Sequence, residues 1–255
     1  MQVENAINSW RKWDASLSTR PAILSQLSGG RSNRSFLLDS NGRKMVLRLN
    51  GTDTMIPGTN RSNEISVWQA ASKKGIAPPL LHFDEQNRFL VSTYISNSLS
   101  TNPPHNNAFI NQAFELLKSC HQLDVNAPII NYINHIEQYW QIAELQNKPV
   151  NPALQQQRKP MQKLVKEITN SNPQTGLCHH DPVIANFVGT QKKLYLIDWE
   201  YAAHGLLTMD YAALGTEWGL DNEVILERTS INPELLTMAK TLYKYLCNLW
   251  QEITT

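Results

Sequence analysis

The feature that most constrains the fold is a change of hydrophobic rhythm near residue 96. Before it, apolar residues come mainly in short runs of strand length; after it, they recur mostly at helical spacing. Ala22 to Leu27, Ser35 to Leu38 and Lys44 to Leu49 are the first such runs. Asn41-Gly42 separates the last two and predicts a tight hairpin, because both residues tolerate the positive φ that a two-residue turn needs. Ser28-Gly29-Gly30 predicts a turn between the first two. A helix is expected from about Asn60 to Lys74, stopped by Gly75, with Ile65, Trp68 and Ala71 at helical spacing. Leu80 to Phe83 and Phe89 to Ile95 read as two more strands, and Ser96 to Asn107, rich in Ser, Asn and Pro, as a linker.

Phe109, Ala113, Leu116, Leu117 and Cys120 form one apolar helical stripe; Ile129, Ile133, Ile136, Trp140 and Ala143 form a second. Lys159 to Asn170 reads as a weaker third helix, Thr175 to Asp198 as a β-like island, and Thr208 to Gly219 and Pro233 to Glu252 as closing helices. The expected architecture is therefore α+β. A strand-rich N-terminal lobe, residues 1–95, joins a larger, mainly helical C-terminal lobe, residues 96–255, with a cleft between them.

Composition removes several function classes. Lys plus Arg is 23 against 22 for Asp plus Glu, so a dedicated nucleic-acid binder is not expected. The three cysteines are far apart and form no C-x-x-C, which excludes a disulfide framework and a cysteine zinc site and fits a reducing, cytoplasmic setting. No apolar run is long enough to span a membrane, and the polar start MQVENAINSWRKWD predicts no secretory leader.

Chemistry concentrates in His179-His180-Asp181-Pro182-Val183-Ile184-Ala185-Asn186, an H-x-D-x-x-x-x-N pattern. Twelve residues after Asn186, the run Leu194 to Ile197 ends in Asp198, and Gly189-Thr190-Gln191 supplies a turn between them. Such a hairpin brings its ends together, so Asp181, Asn186 and Asp198 can converge. Their oxygens are hard ligands that suit Mg²⁺. Phosphoryl transfer needs such a set: one carboxylate to orient the attacking hydroxyl, and an amide with a second carboxylate to hold the metal. Gly29 and Gly30, followed by Ser32 and Asn33, sit between two predicted strands and suit a phosphate-covering loop, although the pattern is neither a Walker A motif nor a full G-x-G-x-x-G.

The segments HHDPVIANF and LIDWEYA resemble the catalytic and metal-binding motifs of the aminoglycoside phosphotransferase and choline kinase superfamily, and DWEYA resembles its choline, ethanolamine and thiamine kinases most. LSGGRSNRSFLL, MVLRLNG, NRSNE and GIAPPLLHF extend the likeness. The resemblance implies a protein-kinase-like fold, ATP and Mg²⁺. It implies Asp181 as catalytic base, Asn186 and Asp198 as metal ligands, Arg48 in the place of the ATP-binding lysine, and Glu64 as the helix carboxylate that pairs with it. It also implies adenine recognition by backbone groups around Tyr94 and Ile95. Two positions depart from the family pattern. A small residue, often Gly, usually stands where this chain has His180, and Pro182 follows the base directly, restricting Asp181.

Trp199, Glu200 and Tyr201 follow Asp198, and Glu217 and Trp218 lie on an expected nearby helix. Aromatic faces with carboxylates suit an organic cation. The expected partner is thus a small cationic alcohol of the choline or thiamine type. The alternatives are an aminoglycoside or amino sugar, or a pseudokinase that binds nucleotide as a sensor. Asp210 resembles the family's structural Asp behind the catalytic loop, His179 is expected to brace that loop, and His121 to pack.

Overall fold

The computed structural model describes residues 2–27, 33–51, 59–96, 107–190 and 192–254. Strands β1 (Ala22–Leu27), β2 (Arg34–Ser40), β3 (Arg43–Leu49), β4 (Leu80–Phe83) and β5 (Phe89–Thr93) form an antiparallel sheet in the order β1-β2-β3-β5-β4. Ser40 pairs with Arg43, and Asn41 and Gly42 both take positive φ, so the two-residue turn forms as the sequence predicts. Strand alternation puts Phe36, Leu38, Met45, Leu47 and Leu49 in one apolar layer, covered by Ile7, Trp10, Trp13 and Leu17. Ile7 belongs to α1 (Val3–Ile7), Trp10 to a one-turn 3₁₀ helix (Trp10–Lys12), and Trp13 and Leu17 to the chain after it, a layer with too few turns to show as a pattern. Arg48, between Leu47 and Leu49, points the other way.

That face meets α2 (Arg61–Lys74). The Asn60 side chain caps its first turn by accepting from the Asn63 N–H, and Gly75 ends it. Val67, Trp68 and Ala71 of α2 share one continuous core with the C-terminal part of the chain. That part contains α3 (Asn107–His121), α4 (Tyr132–Leu145), α5 (Pro152–Asn170), β6 (Thr175–Cys178), β7 (Phe187–Thr190), β8 (Lys193–Leu196), β9 (Ala203–Leu206), α6 (Leu207–Glu217), α7 (Asn222–Leu226) and α8 (Pro233–Thr254). The fold is α+β, with the antiparallel sheet in the N-terminal part and the helices mainly in the C-terminal part.

Several boundaries differ from expectation. Helix α5 begins at Pro152, not near Lys159: Pro160 inside it reads in sequence as a break, while Asn151 caps the true start and Pro152 sits where no N–H is needed. Strand β5 stops at Thr93. Strand β9 pairs with β6 and lies beyond the β-like island, because a four-residue strand with a glycine carries little pattern. The turn Ser28-Gly29-Gly30 and most of the expected linker, residues 97–106, lie outside the described residues.

Candidate active site

Strands β7 and β8 make the hairpin that closes the site. Phe187 pairs with Leu196, and the Ile197 N–H donates to the Asn186 carbonyl at 2.9 Å, so Asn186 and Asp198 leave the hairpin side by side. The Asn186 amide then donates to the Asp181 carboxylate at 2.8 Å and to the Asp181 carbonyl at 2.9 Å. The three expected residues therefore gather at one end of one hairpin. Asp198 and His180 both hold left-handed backbone, φ 65° each, a conformation a bulky residue keeps only when its surroundings enforce it.

The enforcement comes from beneath the loop. Buried Asp210 on α6 accepts the His179 and His180 backbone N–H groups at 2.8 Å each, and His121 lies 3.0 Å from the same carboxylate. Burial acts to raise Asp210, but the His121 hydrogen bond and charge outweigh it and hold the carboxyl at about 2. His121 thus belongs to this brace and does more than pack. His179 Nε2 lies 3.0 Å from the Ile197 carbonyl, and its Nδ1 accepts the Asp181 N–H at 3.3 Å. That ring ties the loop of Asp181 to the strand end that carries Asp198.

Across the cleft, Arg48 pairs with Glu64 at 2.7 Å and with Asp198 at 3.3 Å. Burial opposes ionisation of Glu64, but Arg48 and then Arg61 keep its carboxyl below the usual range. Arg61 was not singled out from sequence, although it lies three residues before Glu64 in the NRSNE segment. Its guanidinium reaches Glu64 at 3.0 Å, Glu200 at 2.9 Å and the Asn33 side-chain oxygen Oδ1 at 2.9 Å. Asn33, buried at the start of β2, also donates to Glu200 at 3.3 Å. Sheet, helix and the segment after β8 are thereby joined by one charged network.

A cavity of about 720 Å³ has Asp181, Asn186 and Asp198 in its wall. Its walls include Tyr132, His135 and Tyr139 of α4, His180, Tyr201, Glu217 of α6, and Tyr243 and Trp250 of α8. The expected substrate residues divide. Tyr201 lines the cavity, with the Trp250 side chain bonded to its hydroxyl. Glu200 also lines it but is taken up by Arg61 and Asn33. Trp199 and Trp218 do not line it: Trp199 is wholly buried edge-on to the His179 ring, and Trp218 packs edge-on to Phe187. These two tryptophans are core, and tyrosines supply the aromatic wall in their place. The sequence signal for α8's share, Tyr243 and Trp250, is indistinguishable from an ordinary apolar helix face.

Tyr94 and Ile95 follow β5 and are half-buried, with the Tyr94 N–H donating to the Lys44 carbonyl at 3.2 Å. Gly29, Gly30 and Ser32 lie outside the described residues.

The site is short of positive charge. Burial, then the charge of Asp198, pushes Asp181 up to about 7, against the lowering effect of the Asn186 hydrogen bond. Burial likewise raises Asp198, opposed by Arg48 and reinforced by Glu200 and Glu64. Clustered carboxylates beside an amide, all hard oxygens, fit a divalent cation of the magnesium type.

A family model described as choline/ethanolamine kinase matches residues 24–252. The chain belongs to the choline/ethanolamine kinase family. No curated protein sequence is similar enough to this chain to count as a match. Among solved structures, choline kinase LicA of Streptococcus pneumoniae is 21% identical with a TM-score of 0.79, covering 99% of this chain and 91% of that one. A choline/ethanolamine kinase family protein of Mesorhizobium loti is 19% identical with a TM-score of 0.75, covering 98% and 85%. Spectinomycin phosphotransferase, solved with ADP and spectinomycin, is 14% identical with a TM-score of 0.64, covering 97% and 87%. These likenesses show the fold, and with the family they make this choline/ethanolamine kinase relative a small-molecule phosphotransferase with a hydroxyl acceptor. No helix among the described residues is long and apolar enough to cross a membrane.

Proposed function

We propose that this chain transfers the γ-phosphoryl group of ATP to the hydroxyl of a small cationic alcohol of the choline or thiamine type. The observation that carries the reading is the position of Asp181: its carboxylate is held by Asn186 and faces a cavity walled by tyrosines and Glu217. In this reading residues 1–95 hold the nucleotide and residues 96–255 the acceptor.

Arg48, steadied by Glu64, presents a charged fork to phosphate oxygens. Asn33, just before β2, would add a side-chain amide on the nucleotide side. Backbone groups near Tyr94 and Ile95 would hold the base. Asp181 accepts a hydrogen bond from the alcohol and takes its proton as the oxygen attacks in line. The Asn186 amide keeps the reacting lone pair aimed. Glu217, which accepts from the Tyr243 hydroxyl at 2.9 Å, offers negative charge to the cation, and the ring faces of Tyr139, Tyr201 and Tyr243 add cation–π attraction. Mg²⁺ held by Asn186 Oδ1 and the Asp198 carboxylate would offset the charge of the transferring phosphate.

The test is ADP release with ATP and Mg²⁺ over a panel of choline, ethanolamine, thiamine and aminoglycosides. Turnover confined to a cationic alcohol supports the reading. Turnover on aminoglycosides alone, or MgATP binding with no turnover at all, overturns it.

A further inference from the structure

His180 occupies an unusual place. It precedes Asp181, holds a left-handed backbone at φ 65°, and has its ring in the cavity wall. A left-handed conformation is strained for a histidine and not for a glycine, so the surroundings must hold this side chain in place. The holding contact is with α4. His180 Nε2 lies 3.0 Å from the Tyr132 hydroxyl. That hydroxyl also accepts the Leu206 backbone N–H at 3.2 Å, so one oxygen ties the His180 ring to β9 as well as to α4.

Strand β9 is shaped around the pair. A Cβ on Gly205 would stand 2.7 Å from the Tyr132 oxygen and 2.8 Å from His180 Nε2, closer than packing allows. Three segments distant in sequence meet at this contact: the catalytic loop, the first turn of α4, and β9. Helix α4 in turn supplies Tyr132, His135, Gln138 and Tyr139 to the cavity. A shift of α4 therefore moves the acceptor wall relative to the Asp181 carboxylate.

We propose that His180 is a positioning residue for the acceptor: through Tyr132 and the space left by Gly205 it sets where α4 stands against Asp181, and so sets the depth of the acceptor pocket. The proposal deepens the alcohol-kinase reading and rests on it for its kinetic consequence. The nucleotide side has no part in the contact, so the effect is confined to one substrate. Small misplacements of a bound acceptor are costly, since in-line attack depends on near-contact geometry.

The experiment compares wild type with His180→Gly, Tyr132→Phe and the double variant. Glycine suits the left-handed backbone, and Tyr132→Phe removes one oxygen, so each variant preserves the fold by a different route. The expected result is an acceptor KM raised about tenfold in each single variant, with the ATP KM within about twofold of wild type. The double variant is expected to be no worse than Tyr132→Phe, because both singles remove the His180–Tyr132 contact and Tyr132→Phe loses the Leu206 bond besides. Amide hydrogen exchange gives the second measurement: α4 amides exchange faster in all three variants while those of α8 stay unchanged. Equal losses for both substrates, additive effects, or unchanged α4 exchange overturn the proposal. If wild type phosphorylates no alcohol on the panel, the functional reading fails, and the exchange comparison alone still decides whether His180 holds α4.

Discussion

The Asn186 side-chain amide donates across 2.8 Å to the Asp181 carboxylate while its backbone carbonyl accepts from Ile197, one residue before Asp198. One residue thus aims the carboxylate that lines the cavity and closes the hairpin that delivers the second carboxylate.

Replacing Asp181 with Asn keeps the shape and removes the proton acceptor. Turnover is expected to fall by about 10²–10⁴-fold, the usual share of a general base. Affinity for MgATP, measured by calorimetry, stays within about threefold. Unchanged turnover would strip Asp181 of its role.

Arg48 and Glu64 are a buried pair, exposed by 8% and 1% at the side chain. Glu64→Gln leaves Arg48 with the longer contact to Asp198 as its carboxylate partner, beside its hydrogen bond to Asn50. Breaking such a pair costs about 3 kcal/mol, read from urea unfolding, and the ATP KM should rise while the acceptor KM does not.

Glu200 and Glu217 separate two roles. Glu200 is bound to Arg61 and Asn33 at the phosphate end, so Glu200→Gln should act mainly on the ATP KM. Glu217 lies on the acceptor side, so Glu217→Gln should raise the KM of a cationic alcohol about tenfold and leave ATP kinetics alone. The reverse pattern would move the cation site to Glu200.

Stability should fall with pH where activity rises. Asp181 is raised to about 7 from an ordinary value of 3.8, and Asp198 is raised as well. Between those limits the folded chain binds more protons than the unfolded one, so this contribution to stability is full below about pH 4 and lost as pH climbs through 7. Without metal or nucleotide, Asp198→Asn should therefore melt about 3 °C above wild type at pH 8, a gain of about 1 kcal/mol, with little difference at pH 4. In the same range kcat/KM of wild type should rise toward a plateau as Asp181 loses its proton. A melting temperature lower than wild type at pH 8 would contradict the charge crowding.

Asp210 shows the opposite sign. Held at about 2, it stabilises the fold above pH 4, and that contribution is lost as pH falls through 2. Asp210→Asn cannot satisfy both backbone N–H groups of the catalytic loop. It should lower the melting temperature by about 6 °C or more and reduce turnover with little change in either KM. Loss of stability with full turnover would show that the loop does not need this brace.

Much was legible along the chain. Asn41-Gly42 marked its hairpin, Asn60 and Gly75 bounded α2, and the spacing of Asp181, Asn186 and Asp198 anticipated their convergence, because turn chemistry, helix caps and a short hairpin are local. Trp199 and Trp218 show where that reasoning ends. Their sequence neighbours suggest a binding cage, yet burial against His179 and Phe187 makes them core.

What the sequence by itself determined is the order of elements and the oxygen donors that one hairpin gathers. Only the tertiary structure decided that Arg61 bridges Glu64 to Glu200, that tyrosines from α4 and α8 wall the cavity beside Asp181, and that His180 meets Tyr132 over Gly205. The physical reason is range. Propensity, capping and turn geometry act within a few residues, whereas these contacts join segments that only the packing of the whole core brings within hydrogen-bond distance.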